Sequence, residues 1–379
     1  MKPAGRQEGG DRHGADPSRP PSGPSPSDPP TQACASSAGL RWVNDAEPGI
    51  RRIRRGTGFT YRSADGHVLR DAATLARIRT LAIPPAWEDV WICAHAHGHL
   101  QATGIDARGR KQYRYHAEWC AARSDSKFEQ LRRFGQALPR IRRRVLRALS
   151  DAGDGAAEPT RERVLATVAR LLDDTCVRIG NAAYARENKS FGLSTLHTRH
   201  AAVRGDQVEL SFVGKGGIRH RVRLSDRRVA RVVRRCRELP GRELFQWRDA
   251  SGEVHRIDSG DVNEWLAAAA ADRITAKDFR TWHGSVQALE LTLAACAEGD
   301  APRRAQQVLA EVARRLGNTP AVCRKAYIHP RVLALSTSLA DARAREQLRD
   351  RPWVKRPPPL RGASLGERQL LGLLKSARR

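Results

Sequence analysis

Five residues carry side chains that could together act on a phosphate ester: two arginines, a lysine, an asparagine and one of only five tyrosines. They are Arg178, Lys215, Arg280, Asn318 and Tyr327. A phenol oxygen can serve as a nucleophile, guanidinium groups can bind phosphate oxygens, and an ammonium group can donate a proton. Each residue taken alone is more often structural, so the hypothesis depends on the five lying close together.

The first arginine and the lysine lie at the ends of predicted elements. The stretch "RERVLATVARLLDDTCVRIG" has apolar residues at helical spacing, which predicts a helix that ends shortly before Arg178. Apolar residues alternate over 208–212 and again over 218–224, which predicts two strands of a hairpin. The sequence "GKGG" lies between them, so we expect Lys215 at the hairpin tip.

The tyrosine lies at the end of a short predicted helix. In "NTP", Thr319 has the side chain of a helix N-cap and Pro320 suits the first helical position. The helix is expected to end near Tyr327, before a His-Pro pair. Asn318 precedes the helix, and Arg280 lies in the segment "AKDFRTWHG".

The charge of the whole chain favours a polyanionic partner. Lys and Arg number 68 and Asp and Glu number 41, so the formal net charge is +27 over 379 residues. Such an excess attracts nucleic acid over long range. Charge alone has two alternative interpretations: a merely solvated basic surface, or a bias toward arginine in the source genome, since only nine of the 68 cations are lysines.

The cysteines and histidines give little sign of disulfides or metal. Seven scattered cysteines without a CxxC pair indicate reduced thiols in a cytoplasmic protein. In "CAHAHGH", Cys93, His95, His97 and His99 would share one face if the segment were a strand, and they would imitate a metal site. No second ligand cluster accompanies them, so we expect no metal. The start of the chain lacks the apolar region of a secretory signal, and no apolar run reaches the length of a membrane span.

Composition divides the chain into four regions. Residues 1–38 form a Pro/Ser-rich leader that is expected to be disordered. Residues 39–118 show strand and turn patterns, which predict a small β-rich domain, and residues 119–350 are mainly helical. Residues 351–379 form a basic, Pro-rich tail that we expect to be loosely held. The predicted class is α+β, with a small antiparallel sheet domain followed by a larger helical domain.

Six segments follow one another in a fixed order along the chain: "IPPAWEDVWI" (83–92), "GRKQYRYH" (109–116), "VRIGNAAYARENKSFGLSTLHTRH" (177–200), "FVGKGG" (212–217), "KDFRTW" (277–282) and "LGNTPAVCRKAY" (316–327). Together they resemble type IB DNA topoisomerases of the small poxvirus-like and bacterial branch. The resemblance spans about 40–345. It implies that the helical domain has the catalytic fold shared by tyrosine recombinases and these topoisomerases.

The resemblance also implies a mechanism. Tyr327 would attack a phosphodiester to form a 3′-phosphotyrosyl link, and Arg178 and Arg280 would hold the non-bridging oxygens. Lys215 would act as the general acid toward the leaving 5′-oxygen. At position 318 the poxvirus members have histidine, whereas this chain has asparagine, which can still donate a hydrogen bond but carries no charge.

The resemblance further implies DNA contacts and a duplex DNA partner. The matching positions are Arg110, Lys111, Gln112, Tyr113, Tyr115, Tyr184 and Lys277. For the segment around 110–115 the alternative is an ordinary strand with alternating exposure. Two domains joined near residue 118 would act as a monomer that clamps duplex DNA.

Three function classes remain in view. The first is a type IB topoisomerase that needs no cofactor and works on DNA in the cytoplasm, associated with the nucleoid. The second is a tyrosine recombinase, which usually has a histidine two residues before the second arginine, where this chain has Asp278. The third is a non-enzymatic basic DNA-binding protein, which would have no need for Tyr327. No GxxxxGK[ST] phosphate loop occurs, and "GKGG" lacks that spacing.

Overall fold

The chain forms two compact units that meet in sequence between Arg123 and Ser124. The computed structural model describes residues 35–36, 38–107, 109–150, 158–298, 301–338 and 341–376, without the side chains of 123–127 and 301–304. The predicted leader, residues 1–38, lies almost wholly outside the described residues. The prediction of an α+β fold, with a sheet unit followed by a larger helical unit, is confirmed.

The N-terminal unit is built on a five-stranded antiparallel sheet with the order β2-β1-β3-β4-β5. The strands are β1 Ile50–Arg55, β2 Gly58–Arg62, β3 Glu88–Ile92, β4 Leu100–Ile105 and β5 Lys111–Tyr115. Helix α1, Ala72–Thr80, begins at Asp71, whose carboxylate accepts from the backbone of Thr74 at 2.7 Å. Ile78 of this helix packs with apolar residues of the sheet to form a small core.

The segment from Cys93 to His99 is not a strand, because it turns the chain from β3 into β4. Cys93, His95, His97 and His99 therefore do not alternate along one face, as a metal site of that design would need. His99 is buried and its ring stacks on Trp42 with 4.0 Å between centroids. The histidine thus serves the packing of this unit.

The C-terminal unit is mainly helical. Its helices are α2 Ala117–Ser150 (which begins in the N-terminal unit), α3 Arg161–Thr175, α4 Ala182–Asn188, α5 Arg227–Glu238, α6 Ser259–Ala270, α7 Ala276–Glu298, α8 Ala301–Leu316, α9 Pro320–Ala326, α10 Pro330–Ser338, α11 Ala342–Arg349, α12 Pro352–Lys355 and α13 Leu365–Lys375. Short 3-10 turns lie at Leu193–Thr195, Thr198–His200 and Lys215–Gly217. The helices of the described residues include none with the length and apolar composition of a membrane span.

A three-stranded antiparallel sheet interrupts the helices with the order β6-β7-β8. Its strands are β6 Ala201–Arg204, β7 Gln207–Val213 and β8 Arg219–Ser225. The predicted hairpin is confirmed: β7 and β8 pair from Gln207↔Ser225 to Val213↔Arg219, and Lys215 lies in the turn. Gly216 and Gly217 have φ values of 79° and 78°, which favour glycine and so suit this tight tip. A second hairpin pairs β9 Gln246–Arg248 with β10 Val254–Arg256.

The core of the C-terminal unit is centred on α3 and α7. Val164, Leu165, Val168, Leu171 and Leu172, the stripe on which the helix prediction rests, are all buried there. The C-terminal helix α13 joins the same core through Leu370, Leu371 and Leu373. The expectation of a loosely held tail is therefore wrong for residues 351–376, because a short apolar stripe within the basic tail packs into the core of the C-terminal unit.

Candidate active site

One cavity of about 420 Å³ in the C-terminal unit brings together four of the five residues proposed to do chemistry. It is lined by Arg178, Lys215, Arg280 and Tyr327, and also by Tyr184 and Lys277. No Asp or Glu is among the described residues that line it. Four cations around one cavity without a lining carboxylate create a positive potential that suits a phosphate.

Arg178 reaches the cavity because the chain turns sharply after α3. Cys176 ends that helix in the left-handed conformation, with φ 55°. The guanidinium Nη2 of Arg178 donates to Oδ1 of Asn318 at 2.5 Å. Its Nη1 is buried and has no hydrogen-bond partner within the described part of the chain. A buried donor of this kind gains most from an incoming acceptor such as a phosphate oxygen.

Arg280 projects from α7 and is 3% exposed. Its two terminal nitrogens donate to the carbonyls of Cys176 and Leu316, the second at 2.7 Å. The side chain thus ties the end of α3 to the end of α8. Burial, and next the charge of Arg178, lower the pKa of Arg280 below its usual value. An arginine starts from so high a pKa that it keeps its charge at neutral pH.

Tyr327 is the residue that ends α9, as the sequence predicts. The Thr319 hydroxyl caps the start of the helix by accepting from Val322, and Pro320 occupies the first turn. The Tyr327 ring is half-buried, with the Arg280 guanidinium 4.9 Å from its centre. Burial alone would raise the pKa of Tyr327, but the charges of Arg280 and Arg178 outweigh it and lower the pKa below its usual value near 10.

Lys215 and Tyr184 meet at the exposed side of the cavity. The Lys215 ammonium lies 5.7 Å from the centre of the Tyr184 ring. Tyr184 lies in α4, whose first turn is capped by Asn181. Lys277 is exposed in the first turn of α7. Both lysines therefore face solvent, where a long phosphodiester chain could approach.

Asn318 does not line the cavity but holds Arg178, which does. Its side-chain oxygen accepts from Arg178, and its Nδ2 donates to the Leu316 carbonyl at 3.5 Å. The Asn318 amide therefore links Arg178 to the Leu316 carbonyl, which also accepts a hydrogen bond from Arg280. This arrangement makes Asn318 an orienting partner of an arginine.

Sequence reasoning did not find His220, which packs beside the site. Its ring stacks on Phe212 with 5.2 Å between centroids. A Cβ added to Gly214 or to Gly317 would lie 2.6 Å from this ring. The ring therefore fills the space between the hairpin that carries Lys215 and the loop that carries Asn318. Contacts of this kind leave no mark in local periodicity, and a lone histidine in a strand gave no signal.

A buried ionic network behind the cavity was also missed. The carboxylate of Asp173 in α3 accepts from Arg142 at 2.7 Å and 3.0 Å and lies 2.9 Å from Nε2 of His283. Arg142 also donates to both carboxylate oxygens of Glu367, at 2.7 Å and 2.9 Å. Burial would raise the pKa values of both acids, but Arg142, with His283 for Asp173, lowers them instead.

The predicted DNA-contacting residues of the N-terminal unit lie on or beside the edge strand β5. Arg110 forms an ion pair with Asp106 at 2.7 Å, and Lys111 forms one with Asp45 at 2.5 Å. Gln112 donates to the Asp106 carboxylate at 2.9 Å.

The two tyrosines of the same strand are exposed. The rings of Tyr113 and Tyr115 stack with 6.1 Å between centroids, and the residues are 48% and 39% exposed. Aromatic rings on a strand surface can contact sugars or bases. The side chains of Arg110 and Lys111 beside them are similarly exposed, at 55% and 46%, but each is paired with a carboxylate.

One group in the described residues has the spacing of a metal site, and it lies outside the cavity. Asp249, Glu253 and His255 belong to the β9–β10 hairpin, and the Asp249 carboxylate lies 2.6 Å from Nε2 of His255. Asp249 also accepts from the backbone of Ser251 and Glu253. These contacts show that the Asp249 carboxylate stabilises a tight turn.

Comparisons with known proteins match both units. The family model described as eukaryotic DNA topoisomerase I, catalytic core, matches residues 116–349, and that of the bacterial DNA topoisomerase IB N-terminal domain matches residues 58–106. The chain is 28% identical over 290 residues to "DNA topoisomerase 1B" of Acanthamoeba polyphaga mimivirus, which covers 74% of this chain and 85% of that protein. It is 25% identical over 178 residues to "DNA topoisomerase 1" of Mycosarcoma maydis, covering 42% of this chain and 17% of that protein.

Proposed function

Because the chain belongs to the type IB DNA topoisomerase family, we propose that it relaxes supercoiled duplex DNA by cutting and rejoining one strand through Tyr327. The observation that carries the proposal is the single cavity in which Tyr327 lies beside Arg178, Arg280 and Lys215. A binding protein without chemistry would need neither the half-buried tyrosine nor the two guanidinium groups around it.

In the proposed cleavage step, each proton that moves and each bond that breaks is accounted for by these residues, the DNA and solvent. The Tyr327 oxygen bonds to phosphorus as its proton leaves to solvent, and the bond from phosphorus to the 5′-oxygen breaks. Arg178 and Arg280 hold the two non-bridging oxygens, on which negative charge develops. Lys215 donates a proton to the leaving 5′-oxygen, which becomes a hydroxyl. Religation is the reverse: the 5′-hydroxyl attacks the 3′-phosphotyrosyl link and returns its proton to Lys215.

The lowered pKa of Tyr327 supports its role as nucleophile. Free tyrosine has a pKa of about 10, so only about one part in a thousand is ionised at neutral pH. The two guanidinium groups increase that fraction. They also neutralise the phosphate that would otherwise repel the phenolate. The same charges thus assist both partners of the reaction.

The proposed reaction requires no nucleotide. The phosphotyrosyl link conserves the energy of the phosphodiester bond that was broken, so rejoining needs no second energy source. Charge neutralisation comes from four lining cations, Arg178, Lys215, Lys277 and Arg280. We therefore propose that relaxation proceeds without ATP and without added metal.

Binding of DNA is proposed to involve both units of a single chain. In the C-terminal unit, Tyr184 and Lys277 lie beside the catalytic cavity. In the N-terminal unit, the contacts would come from Tyr113, Tyr115 and the cations of β5. Arg110 and Lys111 would exchange their carboxylate partners for phosphates. In a bacterial cell the protein would act on nucleoid DNA.

Relaxation of supercoiled plasmid tests the proposal. The purified chain is incubated with the plasmid in EDTA without nucleotide, and the topoisomers are separated on an agarose gel. We expect a ladder that ends in relaxed circles. Strand exchange at particular sites without general relaxation would instead support a recombinase. Retarded plasmid that stays supercoiled would support a DNA-binding protein without this activity.

A further inference from the structure

The buried network behind the catalytic cavity includes a residue from beyond the part of the chain that matches the family core. That match ends at residue 349, whereas Glu367 lies in α13. The Glu367 side chain is 4% exposed, and it accepts from Arg142 with both oxygens. Residues outside the matched core therefore complete an ionic cluster inside the catalytic unit.

The network contacts two parts of the chain that fix the position of Arg280: the helix that carries it, and the segment whose carbonyl accepts from it. Glu367 accepts from Nε1 of Trp282 at 3.2 Å, and Trp282 is the second residue after Arg280 on α7. Asp173, which shares Arg142 with Glu367, lies three residues before Cys176, whose carbonyl accepts from Arg280. Helix α7, which carries Arg280, and the Cys176 carbonyl, which accepts from Arg280, are thus both linked to this one ionic cluster.

The C-terminal segment lies directly against the catalytic helix. A Cβ added to Gly366 would lie 2.0 Å from a side-chain oxygen of Glu290 on α7. The Gly362 carbonyl accepts from Arg142 at 2.8 Å. Such close approach transmits the position of α13 to α7, because packed interiors resist deformation.

If this network only stabilised the fold, charged side chains would not be needed in it. Two carboxylates and a guanidinium are costly to bury, and apolar residues of similar volume often stabilise a fold as well. Ionic hydrogen bonds fix distances and angles more narrowly than apolar contacts do. Catalytic groups need this narrow placement, since a shift of about 1 Å can reduce a rate about 10²-fold.

We propose that Glu367 is a positioning residue: through Arg142, Asp173 and Trp282 it holds Arg280, and with it the C-terminal segment becomes a required part of the active site. The inference rests on the proposed function. Glu367 itself would touch neither DNA nor the reacting atoms. Its effect would be on the rate of the covalent step, with little effect on the affinity for DNA.

The test compares Glu367→Gln with a matched exchange, Glu346→Gln, in the full chain. Glu346 is exposed on α11, within the region that matches the family core. With enzyme in excess over plasmid, the rate of covalent adduct formation is measured by trapping with detergent, and DNA affinity is measured separately. For Glu367→Gln we expect the rate to fall at least about tenfold and the affinity to stay within about twofold. Glu346→Gln should match the unmodified chain in both.

Folding is controlled by thermal unfolding, with every rate measured at a temperature at which the variant is folded. If Glu367→Gln does not fold, Glu367→Asp takes its place, because it keeps the charge but is one methylene too short to reach both Arg142 and Trp282. A folded variant that cleaves at the unmodified rate would overturn the inference. An unmodified chain that never forms an adduct would overturn the proposed function instead, so the two failures are distinct.

Discussion

The Arg280 guanidinium lies 4.9 Å from the centre of the Tyr327 ring, while its two terminal nitrogens donate to the carbonyls of Cys176 and Leu316. The arginine is therefore fixed before any DNA binds. A preorganised cation lowers the barrier without a cost of reorganisation during the reaction. It also favours the anionic form of the neighbouring phenol. In the proposed reaction this one buried side chain would both bind the phosphate and activate the nucleophile.

Replacing Tyr327 with phenylalanine should abolish the covalent adduct and leave DNA binding intact. The exchange removes only the phenol oxygen proposed as the nucleophile, whereas affinity is expected to depend mainly on contacts between cations and phosphates. The measurements are plasmid relaxation, detergent-trapped adduct and gel retardation. Tyr61→Phe is the control, because Tyr61 packs against the small core of the N-terminal unit. Relaxation by the Tyr327→Phe variant would assign the nucleophile to another residue.

The pKa of Tyr327 should rise when Arg178 is replaced with alanine. The Arg178 charge favours the phenolate, so its loss moves the pKa up toward the free value of about 10. The phenolate band of Tyr327 is obtained as the difference in ultraviolet absorbance between each chain and the same chain with Tyr327→Phe, titrated with base. Arg178→Lys, which keeps a positive charge, should shift the titration less. An unchanged titration midpoint in Arg178→Ala would show that this guanidinium does not act on the phenol.

Alanine at Lys215 should reduce cleavage by about 10²–10⁴-fold, the usual contribution of a general acid. The loss should be largely restored by DNA with a 5′-sulfur at the cleavage position mapped with the unmodified chain. A thiol with a pKa of about 8.5 leaves as an anion and needs no proton. Arg280→Ala is the contrasting variant, since it weakens binding of the phosphate oxygens and sulfur should not restore its rate. Equal restoration of both variants would remove the general acid role from Lys215.

Local patterns in the sequence predicted the elements that carry the site, but not the contacts between them. Alternating apolar residues placed Lys215 at a hairpin tip, and the sequence "NTP" placed the start of the helix that ends at Tyr327. By contrast, Arg142 and Glu367 are 225 positions apart, and only tertiary packing decides that they meet. Composition was misleading for the C-terminal tail, because its basic and proline residues concealed the apolar stripe of α13.

Alanine at Gly317 should disturb the site more than alanine at a similar glycine elsewhere. Gly317 has φ 58°, and an added Cβ would lie 2.6 Å from the His220 ring. Gly205 has φ 54° with nothing within 4 Å, so Gly205→Ala reports the backbone strain alone. We expect Gly317→Ala to lower the free energy of unfolding by about 1–3 kcal/mol more than the control, and to slow cleavage by displacing Asn318. Chemical denaturation and adduct formation measure the two effects.

Addition of His220→Ala provides a second check on the same contact. Without the His220 ring, the added Cβ has no ring to clash with. We therefore expect Gly317→Ala to cost less activity in the His220→Ala background than in the unmodified chain. Identical losses in the two backgrounds would mean that His220 does not support the Asn318 loop.

The stabilisation that depends on the Glu367 carboxylate should disappear in acid. Arg142 lowers the pKa of Glu367 in the folded chain despite burial, whereas the unfolded chain has the usual value of about 4.3. A lowered folded pKa means that the stabilisation is complete above about pH 4.3 and is lost as the pH falls through the folded value. Glu367→Gln should therefore cost about 3–5 kcal/mol at pH 7, as for a broken buried ion pair, and progressively less below about pH 4. Urea unfolding at several pH values measures the difference, with Glu346→Gln as the control that should cost little at any pH. A cost for Glu367→Gln that is equal at pH 3 and pH 7 would mean that the carboxylate does not act as the charged partner of Arg142.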